Sequence, residues 1–243
     1  MKIVKKLIGR IVVAFFASTI LAVILLRFLP VYFTPLMFIR LADQHQQGRE
    51  MKMSHTWIPL ERMSPSLPVA VIASEDGKFL QHHGFDFEAI EHAARRNLKK
   101  PEKRKLGAST ISQQTAKNVF LWPGRSWVRK GFEAYFTVLI ELFWTKQRIM
   151  EVYLNSIEMG DGIYGAEAVA REHFGCTAQQ LSRSQCALIA ATLPNPRRFS
   201  SKAPSAYMKR RQARIQREMK FVPAFPQEGC DTPETNNHKT NRR

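Results

Sequence analysis

The chain has 243 residues, with 37 Lys and Arg against 20 Asp and Glu, a formal net charge of +17. That length suits one domain of roughly 200 residues with appendages, and the charge favours anionic partners: nucleic acid, phospholipid headgroups or a phosphorylated substrate. Cys176, Cys186 and Cys230 lack metal-ligand spacing and leave an odd thiol, which argues against a cysteine-built metal site or a closed disulfide framework.

In chain order, Lys2, Lys5, Lys6 and Arg10 precede the apolar run 11–29, whose one charged residue is Arg27. About 20 apolar residues cross a bilayer core, and a lone arginine near the end of such a run can snorkel to the interface. A cleaved signal peptide competes with this reading, but RFLPVYFTP offers no small-x-small cleavage site. The expectation is an uncleaved transmembrane anchor over 1–29 with a cytoplasmic N-terminus, which sends the following domain to the periplasm or cell exterior. Residues 30–66, with four prolines and a polar stretch, read as a membrane-proximal connector containing short helical pieces; its VYFTPLMFI (31–39) could bury in the headgroup region.

From residue 67 the pattern is mainly α. Helices are predicted over about 67–75, 86–98, 110–119, 126–154, 164–173, 178–192 and 204–221, within a domain spanning 67–222. The basic stretch MKRRQARIQREMK (208–220) reads first as a solvated face and second as a lipid contact. Low apolar content predicts a disordered tail over 223–243.

Four stretches carry chemistry. In EDGKFLQHHG (75–84), Glu75 follows the apolar run VAVIA, so it should emerge where a buried helix meets a cleft, a place where a carboxylate can exchange protons. Phe79 and Gly84 suit a packed turn holding it still, against the plainer reading of a solvated helix end. Zinc at His82, His83 and His92 is a weak alternative, because the spacing lacks an i,i+4 histidine pair.

In GASTISQQTAKN (107–118), Ser109, Gln113 and Lys117 recur every four residues, and Gln114 and Asn118 widen that face. This could be a polar stripe ending in a cation; Thr110 and Gln113 equally fit a capping box. In WPGRSWVRKGFEAYF (122–136), Arg125, Arg129 and Glu133 repeat the spacing of four. They read either as a surface ion-pair ladder or as a diphosphate clamp, since guanidinium binds phosphate oxygens bidentately. RIMEVYLNSIEMGDGIYGAEAVAREHFG (148–175) and ALIAATLPNPRRFS (187–200) read mainly as scaffold.

Taken together, Glu-Asp-x-x-Phe-x-x-His-x-Gly, Gly-x-Ser-Thr-Ile-x-Gln-Gln-x-x-Lys-Asn, Arg-Lys-x-x-Glu and Ile-x-Glu-x-Tyr-Leu-Asn resemble, in this order, the motifs of the peptidoglycan glycosyltransferases, glycosyltransferase family 51. The resemblance covers about residues 65–200, and the chain has no Ser-x-x-Lys or Lys-Thr-Gly block. It is therefore similar to the monofunctional branch. The resemblance implies a lysozyme-like helical domain that joins lipid II to a growing glycan with inversion, for cell wall synthesis. It implies Glu75 as general base and Glu133 as the second essential carboxylate. Lys117 and Arg125 would contact the pyrophosphate, while Ser109, Gln113 and Gln114 line the donor cleft. Asp76, Phe79, His82, Gly84, Asn118, Arg129 and Lys130 would support them. No cofactor is required, although a divalent cation (Mg or Mn) could sit at the pyrophosphate. The implied location is the bacterial inner membrane, among cell wall synthesis and division proteins.

Two rivals use the same residues. A hydrolase of the wall polymer needs a protonated acid and a site for water rather than a cation pair. A membrane-tethered nucleic-acid binder uses the charge but has no nucleic-acid motif, and no nucleic acid is expected as partner.

Overall fold

A computed structural model describes residues 2–102, 105–124 and 126–226. It is mainly α. The N-terminal helix α1 (Lys2–Leu26) has 25 residues, about 38 Å at 1.5 Å per residue, and most of its side chains are exposed. That is long and apolar enough to cross a membrane. α1 is also tied to the body. Thr19 Oγ1 lies 2.8 Å from the Tyr135 hydroxyl, and the Trp144 indole donates to the Val23 carbonyl at 2.8 Å.

The expected connector is more ordered than its prolines suggest. Pro35 begins α2 (Pro35–Gln46), placed where its missing N–H costs nothing. Ser54–His55 then form β1, and Ile58, Leu60 and Met63 enter the core. β1 pairs in parallel with β3 (Ile163–Tyr164), which pairs antiparallel with β2 (Glu158–Gly160). These short strands escape an alternation test because each holds only two or three residues. Asn155 secures them: its amide donates to the Ile58 carbonyl, its carbonyl accepts from the Ile58 N–H, and His55 Nε2 meets the Asn155 backbone oxygen.

The centre of the body is α3 (Ser66–Glu75), whose residues Leu67–Ile72 are all buried. It packs against α9 (Arg183–Thr192) and α10 (Ala206–Glu218). α4 (Phe87–Lys99) follows, capped by Asp86. The predicted helix 126–154 is two helices, α6 (Trp127–Phe143) and α7 (Lys146–Ser156). Trp144 turns extended to reach α1, and Thr145 caps α7 by accepting from the Arg148 N–H, so tertiary pull and a local cap break the helix together. α5 (Ile111–Phe120) lies against both of these helices. α8 (Ala166–Phe174) stops at left-handed Gly175, and the predicted helix 178–192 is a 3-10 turn (Ala178–Gln180) followed by α9.

The expected tail starts too early. Phe225 is buried and its ring centre lies 6.2 Å from that of Phe79, so residues 223–226 still belong to the packed body. The remainder of that tail, with Cys230, lies outside the described residues.

Candidate active site

α3 delivers Glu75 as its last residue, with the side chain 13% exposed. Both carboxylate oxygens are engaged by neutral donors. Ser74 Oγ donates to Oε1 at 3.1 Å, and the Gln114 amide donates to Oε2 at 3.3 Å. The Tyr153 hydroxyl in turn donates to Gln114 Oε1 at 3.3 Å, which fixes which end of that amide faces Glu75. Arg211 approaches from α10: its Nη2 donates to Ser74 Oγ at 3.1 Å and lies 3.6 Å from Glu75 Oε1.

Asp76 turns away from this group and locks the loop. It accepts from the Ile111 N–H at 2.9 Å, the first turn of α5, and from His82 Nε2 at 2.9 Å. His82 Nδ1 accepts from the Gly84 N–H, so both ring nitrogens are used in holding the turn, while His83 and His92 are exposed. Gly84 has φ +88°, and a Cβ there would stand 2.7 Å from Thr137 Cγ2; its carbonyl accepts from Thr110 Oγ1. Phe79 is fully buried, with Lys146 Nζ 4.6 Å from its ring centre. This turn therefore sets α3 against α5, and with them Glu75 against Gln114.

On α5 the capping box forms. The Gln113 side chain accepts from the Thr110 N–H, and Thr110 Oγ1 accepts from the Gln113 N–H. Gln113 is thus buried at the helix start, away from the cavity lining, while Ser109 precedes the helix and is exposed. Gln114, Lys117 and Asn118 line a cavity of about 590 Å3, together with Arg129 of α6.

Glu133 is 3% exposed and carries two cations: Arg129 Nη1 donates at 2.7 Å and Lys130 Nζ bonds the other oxygen. The Arg129–Glu133 rung of the expected i,i+4 ladder exists, but it is buried rather than on the surface. Burial lowers the Lys117 pKa; Glu133 raises it, Arg129 and Lys130 lower it, and Glu75 raises it. Lys117 is therefore a strained cation within the field of both glutamates. Arg125 lies outside the described residues.

The donor set at this end suits an anion. Both Glu133 oxygens are bound to cations, and among the described residues no three His, Cys, Asp or Glu side chains are grouped to hold a metal. These residues do not fit a protein-held divalent ion.

A model of the family described as "Transglycosylase" matches residues 43–220. The chain belongs to that family. Curated proteins called biosynthetic peptidoglycan transglycosylase are similar along most of their length. The one from Bacteroides thetaiotaomicron is 64% identical over 216 residues, covering 89% of this chain and 86% of the relative. One from Bdellovibrio bacteriovorus is 52% identical, covering 91% and 87%, and one from Caulobacter vibrioides is 51% identical, covering 88% and 92%. The transglycosylase match begins inside α2 and ends just after α10, so β1 and the segment 58–63 fall within it.

Two contacts at this candidate site were not anticipated from sequence. Arg211 belongs to a helix read first as a solvated basic face, yet Met208 and Ile215 on that helix are buried, and Arg211 lies three residues after the first and four before the second, on the same face. That stripe was the available signal. Tyr153 reads as core and is core, but its hydroxyl also orients Gln114.

Proposed function

We propose that this transglycosylase polymerises lipid II into β-1,4 glycan strands, with Glu75 as general base. The observation that carries the reading is a glutamate held only by neutral hydrogen bonds and one nearby arginine, beside a cavity lined by Lys117 and Arg129. Glu75 takes the proton from the acceptor 4-hydroxyl as that oxygen attacks C1 of the donor sugar. The C1–O bond to phosphate breaks, its electrons leave with undecaprenyl diphosphate, and attack from the opposite face inverts the centre. Positioned proton transfer contributes roughly 10²–10⁴ in rate. Lys117 and Arg129 meet the charge gathering on the leaving group, and Glu133 aims Arg129 and Lys130. Arg125 is proposed as a further diphosphate contact on the strength of its motif position.

α1 anchors the enzyme as a single span of the bacterial inner membrane, N-terminus inside and catalytic body in the periplasm, so the active site meets a lipid-borne substrate. Cell wall synthesis and division proteins are its proposed neighbours. The test is incubation with lipid II, with and without a chelator, followed by muramidase digestion of the product. Muramidase-sensitive polymer supports the reading; shortening of preformed glycan without growth would favour a hydrolase. Loss of polymer on chelation would show that a metal is needed after all.

A further inference from the structure

The cavity has a second polar end, and none of the motifs read from sequence supplies it. Arg40, from the membrane-proximal helix α2, and Glu158, from β2, line the same cavity as Lys117 and Arg129. Arg40 Nε lies 3.4 Å from Glu158 Oε2 without the alignment of a hydrogen bond. Glu158 is 4% exposed. Its Oε1 and the Nε of Arg40 are both buried, and neither has a hydrogen-bond partner among the described residues. Burial raises the Glu158 pKa, opposed by Arg40 and Arg197, with Asp161 raising it and a backbone hydrogen bond from Gly162 to the carboxylate lowering it.

A buried donor and a buried acceptor left open side by side are costly unless something completes them. The neighbouring wall is apolar, with Leu36, Ile157, Leu193 and Pro194. A ligand group that completes both atoms must accept from a guanidinium N–H, donate to a carboxylate and tolerate hydrocarbon on its flanks. A secondary amide does all three: its carbonyl faces Arg40, its N–H faces Glu158, and its alkyl substituents meet the wall.

We propose that Arg40 and Glu158 form an amide-reading subsite of this cavity, selecting a secondary amide on a ligand whose diphosphate is held at Lys117 and Arg129. The inference rests on the catalytic reading above and adds a specificity element to it. The amide could be an acetamido group on a sugar or a peptide bond of the stem. In either case α2, at the membrane surface, furnishes half of the recognition.

The test uses the full-length chain in detergent with Arg40→Met, Glu158→Leu and the double variant, and follows thermal melting alongside the kinetics. The double variant replaces the pair by apolar side chains, which is the change a fold tolerates best. Three substrates separate the sources: lipid II, lipid II with its sugar amides de-acetylated, and a diphospholipid disaccharide without peptide. The expected result is a KM for lipid II raised about tenfold or more in each variant. Inhibition by undecaprenyl diphosphate alone should be unchanged. If the acetamido group is read, the penalty disappears on the de-acetylated substrate; if the peptide is read, it disappears on the peptide-free one. The same penalty on every substrate, or none on any, overturns the subsite while leaving the catalytic reading intact. A wild-type chain that makes no glycan from lipid II overturns that reading and takes the subsite with it.

Discussion

Two glutamates stand at this site in opposite company. Glu133 is surrounded by charge: Arg129 and Lys130 each take one oxygen, in a nearly closed environment. Glu75 is held by a serine hydroxyl and a carboxamide, with Arg211 at 3.6 Å and part of its surface open. Glu133 has both oxygens committed to cations, whereas Glu75 meets neutral donors and one guanidinium that stands further off. On that difference rests the proposed division of roles, Glu75 as base and Glu133 as organiser of cations, although both are the same residue type at a helix position.

The sharpest break of that contrast is Glu75→Gln, expected to lower polymerisation by at least about 10²-fold while lipid II binding persists; near-wild-type turnover would remove Glu75 as base. Glu133→Gln should act through the other route. It strands Arg129 and Lys130, and is expected to cost about 3 kcal/mol of stability, visible as a lower melting temperature, together with weaker donor binding. A variant that melts like wild type and binds donor normally would mean that the pairs carry no weight.

Lys117 sharpens the cation side. Its pKa is lowered, chiefly by burial, so its charge is lost as pH rises before the ordinary lysine value of 10.5 is reached. The kcat/KM profile should therefore fall at alkaline pH earlier than an ordinary lysine would dictate. Lys117→Arg should push that limb upward, and Lys117→Ala should reduce donor affinity and turnover together. An alkaline limb unmoved in Lys117→Arg would exclude Lys117 as its source.

Smaller effects belong to the neutral shell around Glu75. Arg211→Met is expected to lower kcat by about tenfold with partial recovery in Arg211→Lys, since a lysine keeps the charge but not the fork. Equal losses in both would reduce Arg211 to packing between α10 and α3. Tyr153→Phe removes a single 3.3 Å hydrogen bond and should cost only a few-fold in kcat, through a looser Gln114. No change at all would show that Gln114 holds its orientation unaided.

How far the site was legible depended on how far each residue's partner lay along the chain. Helical period alone places Glu75 at the end of a largely apolar helix and Gln114, Lys117 and Asn118 on one face, while their roles rest on the resemblance of the motifs. Gln113 and Gln114 could not be separated by composition; one residue of rotation sends the first into the capping box and the second to Glu75. The break between α6 and α7 was half hidden: Thr145 offers a local cap, but the other cause, the reach of Trp144 to Val23, lies in the distant helix α1. Arg40 and Glu158 carried no signal that ties them, since α2 and β2 meet only in the folded chain.

By itself the amino-acid order determined the long apolar N-terminal helix, the mainly helical body, the family and the carboxylate proposed as base, because apolar period, caps and motif spacing are local properties. The packed structure alone decided which polar groups face one another: Arg211 against Ser74, Tyr153 against Gln114, Arg40 against Glu158. Those pairings join elements distant in sequence, and hydrogen bonding and charge act over a few ångströms of space, whatever the separation along the chain.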